Sequence, residues 1–153
     1  MKIFIASDHA GYKVKEMIRQ FIIQLGYDVK DFGPSNEDFV DYPDFAFKVA
    51  EAVSSSKSQM GILICGTGLG MCIAANKVKG IRAVSVHDKF TAEMSRCHND
   101  ANILCLGARA LAGQNFKESD IKEVVKIWLA TPFDIGNARH QRRIQKISDY
   151  EAD

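Results

Sequence analysis

The sequence predicts an α/β fold: a single-domain, Rossmann-like three-layer sandwich, with a five-stranded parallel sheet, helices on both faces and a further C-terminal helix. Three observations carry this. Short apolar runs alternate with longer segments of helical period, the order expected of strands joined by crossover helices. The most apolar run, "GILICG", reads as a strand buried on both faces, as central strands of parallel sheets are. A chain of 153 residues with no linker, repeat or low-complexity tract suits one domain over residues 1–153.

Each element has its own signal. Strands are expected at 2–8 (KIFIASD), 28–33 (DVKDFG), 61–66 (GILICG), 82–87 (RAVSVH) and 102–107 (NILCLG). The second is the most polar and belongs near an edge. The first helix, over 11–25, places Val14, Met17, Ile18, Phe21, Ile22 and Leu25 on one face and stops at Gly26. Further helices are expected at 44–55, 69–78, 89–97, 114–130 and 138–150, with Pro43 and Pro132 near boundaries. Residues 33–44 form a turn-rich loop placed to line a site. In open sheets of this kind ligands lie beyond the carboxyl ends of the strands, so candidates are sought there.

Charge and composition remove several function classes. A formal net charge of +1 supplies no global field for nucleic acid or an anionic membrane, so anion binding must rest on a local cluster. No run of 18 apolar residues exists to span a bilayer, and "MKIFIASDHAG" is broken by Asp8 and His9 before it is long enough for a secretory signal. Cytoplasm is the expected compartment. Cys65, Cys72, Cys97 and Cys105 form no C-x-x-C pair, so reduced thiols are expected, and the four histidines are too scattered for a zinc site. No metal and no organic cofactor is expected.

Chemistry concentrates at the strand ends. "SDHAG" sets Asp8 and His9 at the first turn; capping of the following helix is the competing reading. "CGTGLG" follows the third strand with Cys65, Gly66, Thr67, Gly68 and Gly70. Glycines there let an oxygen approach backbone N–H groups, and a helix N-terminus acidifies a thiol that ordinarily titrates near ~8.5. A structural cysteine beside a tight turn is the alternative, assigned to Cys72, Cys97 and Cys105. The turn is no dinucleotide fingerprint, because its third glycine falls one residue early, and no G-K-[ST] makes it a P-loop. "CHNDAN" gathers His98, Asn99 and Asp100 as a polar loop before the fifth strand, with an imidazole suited to proton transfer. Arg109 follows that strand. In "ARHQRRIQK", Arg139 and Arg143 lie four apart, a spacing that can grip one phosphate; a solvated face is the competing reading.

In order and spacing, "SDHAG", "DYPDFA", "GILICGTGLGMCIAANKVKGIRA", "SRCHNDANILCLGAR" and "ARHQRRI" closely resemble type B ribose-5-phosphate isomerase and its relatives, which include galactose-6-phosphate isomerase. The resemblance implies cofactor-free aldose–ketose isomerisation of ribose 5-phosphate and ribulose 5-phosphate through an enediolate. It implies that Cys65 is the base, since a second branch with a glutamate a few residues on is not matched by Gly70 and Met71. The Gly66–Gly70 turn and Thr67 would hold the enediolate oxygen, and His98 would open the furanose ring. Asp8 and Asn99 would bind hydroxyls, and His9, Arg109, Arg139 and Arg143 the phosphate. Tyr42 and His140 match positions close to the family's site. The resemblance also implies a homodimer, or a dimer of dimers, with sites built from both subunits. A six-carbon sugar phosphate such as allose 6-phosphate or galactose 6-phosphate, and a non-catalytic phosphosugar-binding module, are the alternatives.

Overall fold

The computed structural model describes residues 1–56, 58–109 and 117–152. Strands β1 (Lys2–Ser7), β2 (Asp28–Asp31), β3 (Met60–Cys65), β4 (Ala83–Ser85) and β5 (Ile103–Gly107) form one sheet. All pairs are parallel and the order is β2-β1-β3-β5-β4, which puts the apolar third strand in the centre and the polar second at an edge. Among the described residues the helices are α1 (Tyr12–Gln24), α2 (Tyr42–Ser54), α3 (Leu69–Ala75), α4 (Lys89–Asn99), α5 (Glu118–Ala130) and α6 (Ala138–Ala152).

Alternation along each strand sorts the core into two layers. Ile3, Ile5, Ile62, Ile64, Leu104 and Leu106 point to one face and pack against Ile18 and Ile22 of α1, Ala92 of α4, and Val124, Val125 and Trp128 of α5. Phe4, Ala6, Leu63, Cys65 and Cys105 point to the other and are covered by α2 and α3, through Val49, Val53, Met71 and Ala75. Because both faces are covered, the central strands are apolar at every position. That is why they read as continuous runs.

The register brings strand ends level. Ser7 lies opposite Ile64, and Cys65 opposite Gly107, so the residues following β1, β3 and β5 emerge at one rim. The chain steps outward from β1 to β2 and then crosses to β3 on the other side, which makes the β1–β3 junction a topological switch point.

Element ends depart from the sequence expectation for local reasons. The fourth strand keeps only Ala83–Ser85, because Asp88 leaves the sheet to cap α4 in a reciprocal box with Thr91. The 89–97 helix runs on to Asn99, so His98 and Asn99 are helical and not in a loop. It ends at Asp100, which takes the left-handed conformation at φ 46° that usually falls to glycine. The third helix stops at Ala75; Asn76 then accepts from the Ala83 amide at 2.8 Å and donates to its carbonyl at 2.9 Å, as a neighbouring strand would. The start of the expected 114–130 helix lies outside the described residues. The first helix also buries a cation: Lys15, 1% exposed, reaches Asp31 at 2.5 Å, Glu16 at 2.9 Å and the Pro34 carbonyl at 3.0 Å.

Candidate active site

One group of candidates gathers at the switch point. The Asp8 amide donates to the Ile64 carbonyl at 3.0 Å, which holds the turn after β1 against the end of β3. Asp8 is buried and accepts from the Gly11 amide at 2.9 Å, so it closes the turn into α1 rather than capping the helix proper. His9 lies with Nδ1 3.4 Å from the Val40 carbonyl and its ring tilted against Phe39 at 4.6 Å.

Cys65 is the last residue of β3 and is 4% exposed. Its Sγ accepts from the Gly68 amide at 3.2 Å. Gly68 can aim that amide because it sits at φ +78°, where a side chain is strained, and a Cβ there would lie 3.0 Å from the Gly107 nitrogen and the Ser85 Oγ. A Cβ on Gly107 would meet the Thr67 carbonyl carbon and oxygen at 2.5 Å, so the turn rests directly on the backbone of β5. Thr67 is exposed above it and its Oγ1 accepts from Leu69 at 3.3 Å. Two of the turn's amides, at Gly68 and Leu69, are therefore engaged within the chain, whereas the sequence expectation gave the whole turn to a substrate oxygen.

Tyr42, the first residue of α2, closes one side: its ring would lie 2.8 Å from a Cβ on Gly70, a position only glycine leaves open. Arg109 closes another, its amide bonded to the Gly66 carbonyl at 2.9 Å and its guanidinium laid over Gly66. Asp8, His9, Tyr42, Cys65, Gly66, Thr67, Gly68, Gly70 and Arg109 thus share one rim of the sheet.

His98, Asn99, Arg139 and Arg143 form a second group. Crossover helices run antiparallel to the strands, so the end of α4 lies at the amino rim. There the Asn99 carbonyl accepts from Arg82, the residue preceding β4, at 3.1 Å, and Asp134 donates to the Cys97 carbonyl at 3.0 Å. His140 of α6 stacks on His98 with centroids 4.3 Å apart and planes 15° apart, which brings exposed Arg139 and Arg143 alongside. Burial lowers the His140 pKa from its usual 6.5, and repulsion from His98 and Arg139 adds to it. Within one chain the two groups are separated by the length of β5, five residues or about 16 Å. One chain therefore does not bring the sequence-selected residues into a single cleft.

A cavity of about 610 Å³ at the amino rim is lined by Ser54, Gln59, Arg82, Arg96, Asp100 and Asn102 among others, and by none of the candidates. Among the described residues no group of three His, Cys, Asp or Glu is placed to hold a metal ion. No helix among them is long and apolar enough to cross a membrane. Sequence reasoning missed Phe39 against His9 and Ser85 behind Gly68. Phe39 carried a signal, an exposed aromatic in the turn-rich loop, whereas Ser85 is one polar residue in a strand with nothing to mark it.

Comparison with known proteins fits this arrangement. The structure resembles ribose-5-phosphate isomerase B of Clostridium thermocellum, with a TM-score of 0.91, 49% identity and coverage of 99% of this chain and 98% of that one. It resembles ribose-5-phosphate isomerase B of Mycoplasma genitalium with bound ribulose-5-phosphate, with a TM-score of 0.91, 44% identity and coverage of 99% and 97%. Ribose-5-phosphate isomerase B of Escherichia coli is 39% identical over 98% of this chain and 96% of its own. With the Ribose/Galactose Isomerase family model matching residues 3–147, the chain belongs to that family.

Proposed function

We propose that this chain is a ribose-5-phosphate isomerase of the pentose phosphate pathway, interconverting ribose 5-phosphate and ribulose 5-phosphate as one isomerase domain over residues 1–153, in the cytoplasm. The observation that carries the reading is Cys65, its sulfur oriented by the Gly68 amide at the switch point beside Asp8. Support comes from relatives of matching length that bear this activity in their names, one of them holding ribulose-5-phosphate.

Each step has a residue. His98 opens the furanose, because the closed sugar has no carbonyl to activate an α-proton. The Cys65 sulfur takes the proton from C2 and returns it to C1 while the carbonyl passes from C1 to C2. Negative charge on the enediolate oxygen is met by the Thr67 hydroxyl and the turn's remaining amides at Thr67 and Gly70; one such donor is typically worth ~10²–10³ in rate. Asp8 and Asn99 hold hydroxyls. His9 and Arg109 approach the phosphate from one rim, Arg139 and Arg143 from the other.

The two rims meet only between two copies of the chain. The site is therefore shared across a homodimer, alone or as a dimer of dimers, each rim facing the opposite rim of its partner. This also accounts for the absence of the candidate residues from the cavity described above: half a site in one chain is an open surface.

Cys65→Ala tests the chemistry. Turnover of ribose 5-phosphate falls by at least ~10³, the scale expected when a catalytic base is removed, while the sugar phosphate still raises the melting temperature. Wild-type turnover in that variant contradicts the assignment. Running allose 6-phosphate and galactose 6-phosphate beside ribose 5-phosphate separates the five-carbon reading from the six-carbon one, and binding of all three without turnover identifies a binding module.

A further inference from the structure

Two thiols under the glycine turn take no part in the proposed reaction. Cys105 is fully buried in the middle of β5, opposite Leu63 of β3 and Ser85 of β4. Cys72 projects from α3 onto the same face and is partly exposed. The two thiols are hydrogen-bonded to one another, and both are reduced. The Cys72 Sγ also lies 3.3 Å from the Ala83 carbonyl and 3.6 Å from Nδ2 of Asn76, and the Ser85 backbone bonds to it. As a thiol Cys72 donates to Ala83. As a thiolate it accepts from Cys105, Ser85 and Asn76, and three donors around one sulfur favour the anion. The bond with Cys105 is the largest influence and brings the Cys72 thiol down to about 7 against the opposing effect of its burial, while burial pushes the Cys105 thiol well up.

We propose that Cys72 is an oxidation site: a hydroperoxide converts it to a sulfenic acid, and Cys105 condenses with that group to form a disulfide tying α3 to β5. In the first step the Cys72 sulfur attacks the terminal peroxide oxygen. The O–O bond breaks, the sulfur loses two electrons, and the departing oxygen takes a proton to leave as water or an alcohol. In the second the Cys105 sulfur attacks the Cys72 sulfur, the S–O bond breaks, and the Cys105 proton leaves with the hydroxyl as water. A disulfide of about 2.05 Å is shorter than a thiol–thiol hydrogen bond by more than ~1 Å, so α3 must move toward the sheet. The residue preceding α3 is Gly68, whose amide orients the Cys65 sulfur. A misplacement of ~1 Å in reacting geometry costs ~10²-fold.

The effect on turnover rests on the isomerase reading; the disulfide itself does not. The test treats the full-length enzyme with hydrogen peroxide, blocks residual thiols with iodoacetamide, and follows a peptide mass map beside turnover of ribose 5-phosphate. The expected map contains a peptide joining Cys72 to Cys105. Turnover falls about 100-fold and returns with dithiothreitol. Cys72→Ser keeps its peroxide-free turnover and loses the reversible phase, and Cys105→Ser leaves a Cys72 sulfenic acid that dimedone labels. Cys72 fully alkylated after peroxide, with oxidation confined to Cys65, overturns the proposal in the unmutated protein, whatever the variants do. A disulfide that leaves turnover unchanged overturns its coupling to the site.

Discussion

At the scale of single residues, the stacked imidazoles of His98 and His140 form the least ordinary pairing in the molecule. His140 is buried, and it faces His98, Arg139 and Arg143, all of which oppose a proton on its ring, with only Asp134 favouring one. Its folded pKa lies below the 6.5 expected of the unfolded chain. Between those two values the unfolded chain binds more protons than the folded one, so stability is complete above the unfolded value and is lost as the pH falls through the folded one. The wild-type melting temperature therefore drops as the pH is lowered from about 7.5 to about 5.5, and His140→Asn, which cannot take up the proton, shows a smaller drop. Equal drops in thermal melts of the two proteins contradict this account of the pair. Neither the stack nor its effect was legible in the chain, because residues 42 apart in sequence meet only once α6 is laid against the end of α4.

At the scale of elements, the turn after β3 depends on one close approach. Gly107 belongs to β5, yet a Cβ there lies 2.5 Å from the Thr67 carbonyl, and that neighbour is backbone with no rotamer to give way. Gly107→Ala is expected to destabilise the protein by about 1–3 kcal/mol, in the range of overpacked cores, and to lower turnover through the displaced Thr67. A thermal melt and a steady-state rate on one preparation check both, and unchanged values of both contradict the packing. The strands and helices themselves were legible, because burial on both faces makes β1, β3 and β5 apolar throughout and gives α1 its stripe. Their ends were not. Asp100 closes α4 in a conformation usually left to glycine, and Asn76 stands in for a strand at the sheet edge. Lys15 was unreadable for a related reason: an ammonium at a core position is tolerated only because Asp31, Glu16 and the Pro34 carbonyl, which sequence does not place beside it, receive its protons.

At the scale of the whole molecule, the chemistry-bearing motifs were visible as a set, but their division was not. A motif list has no rim; only the topology puts the end of α4 at the amino side and the end of β3 at the carboxyl side. The central proposal, that two copies build each site, follows from that division and has a direct test. Cys65→Ala and His98→Asn lie in opposite halves, and each is expected to be inactive alone. Co-expressed or refolded together, half of the dimers are mixed, and each mixed dimer carries one site with both residues intact and one with neither. The mixture then regains about a quarter of wild-type turnover, as random pairing of a symmetric dimer requires. A mixture whose mixed dimers form, yet remain as inactive as either parent, contradicts the shared site.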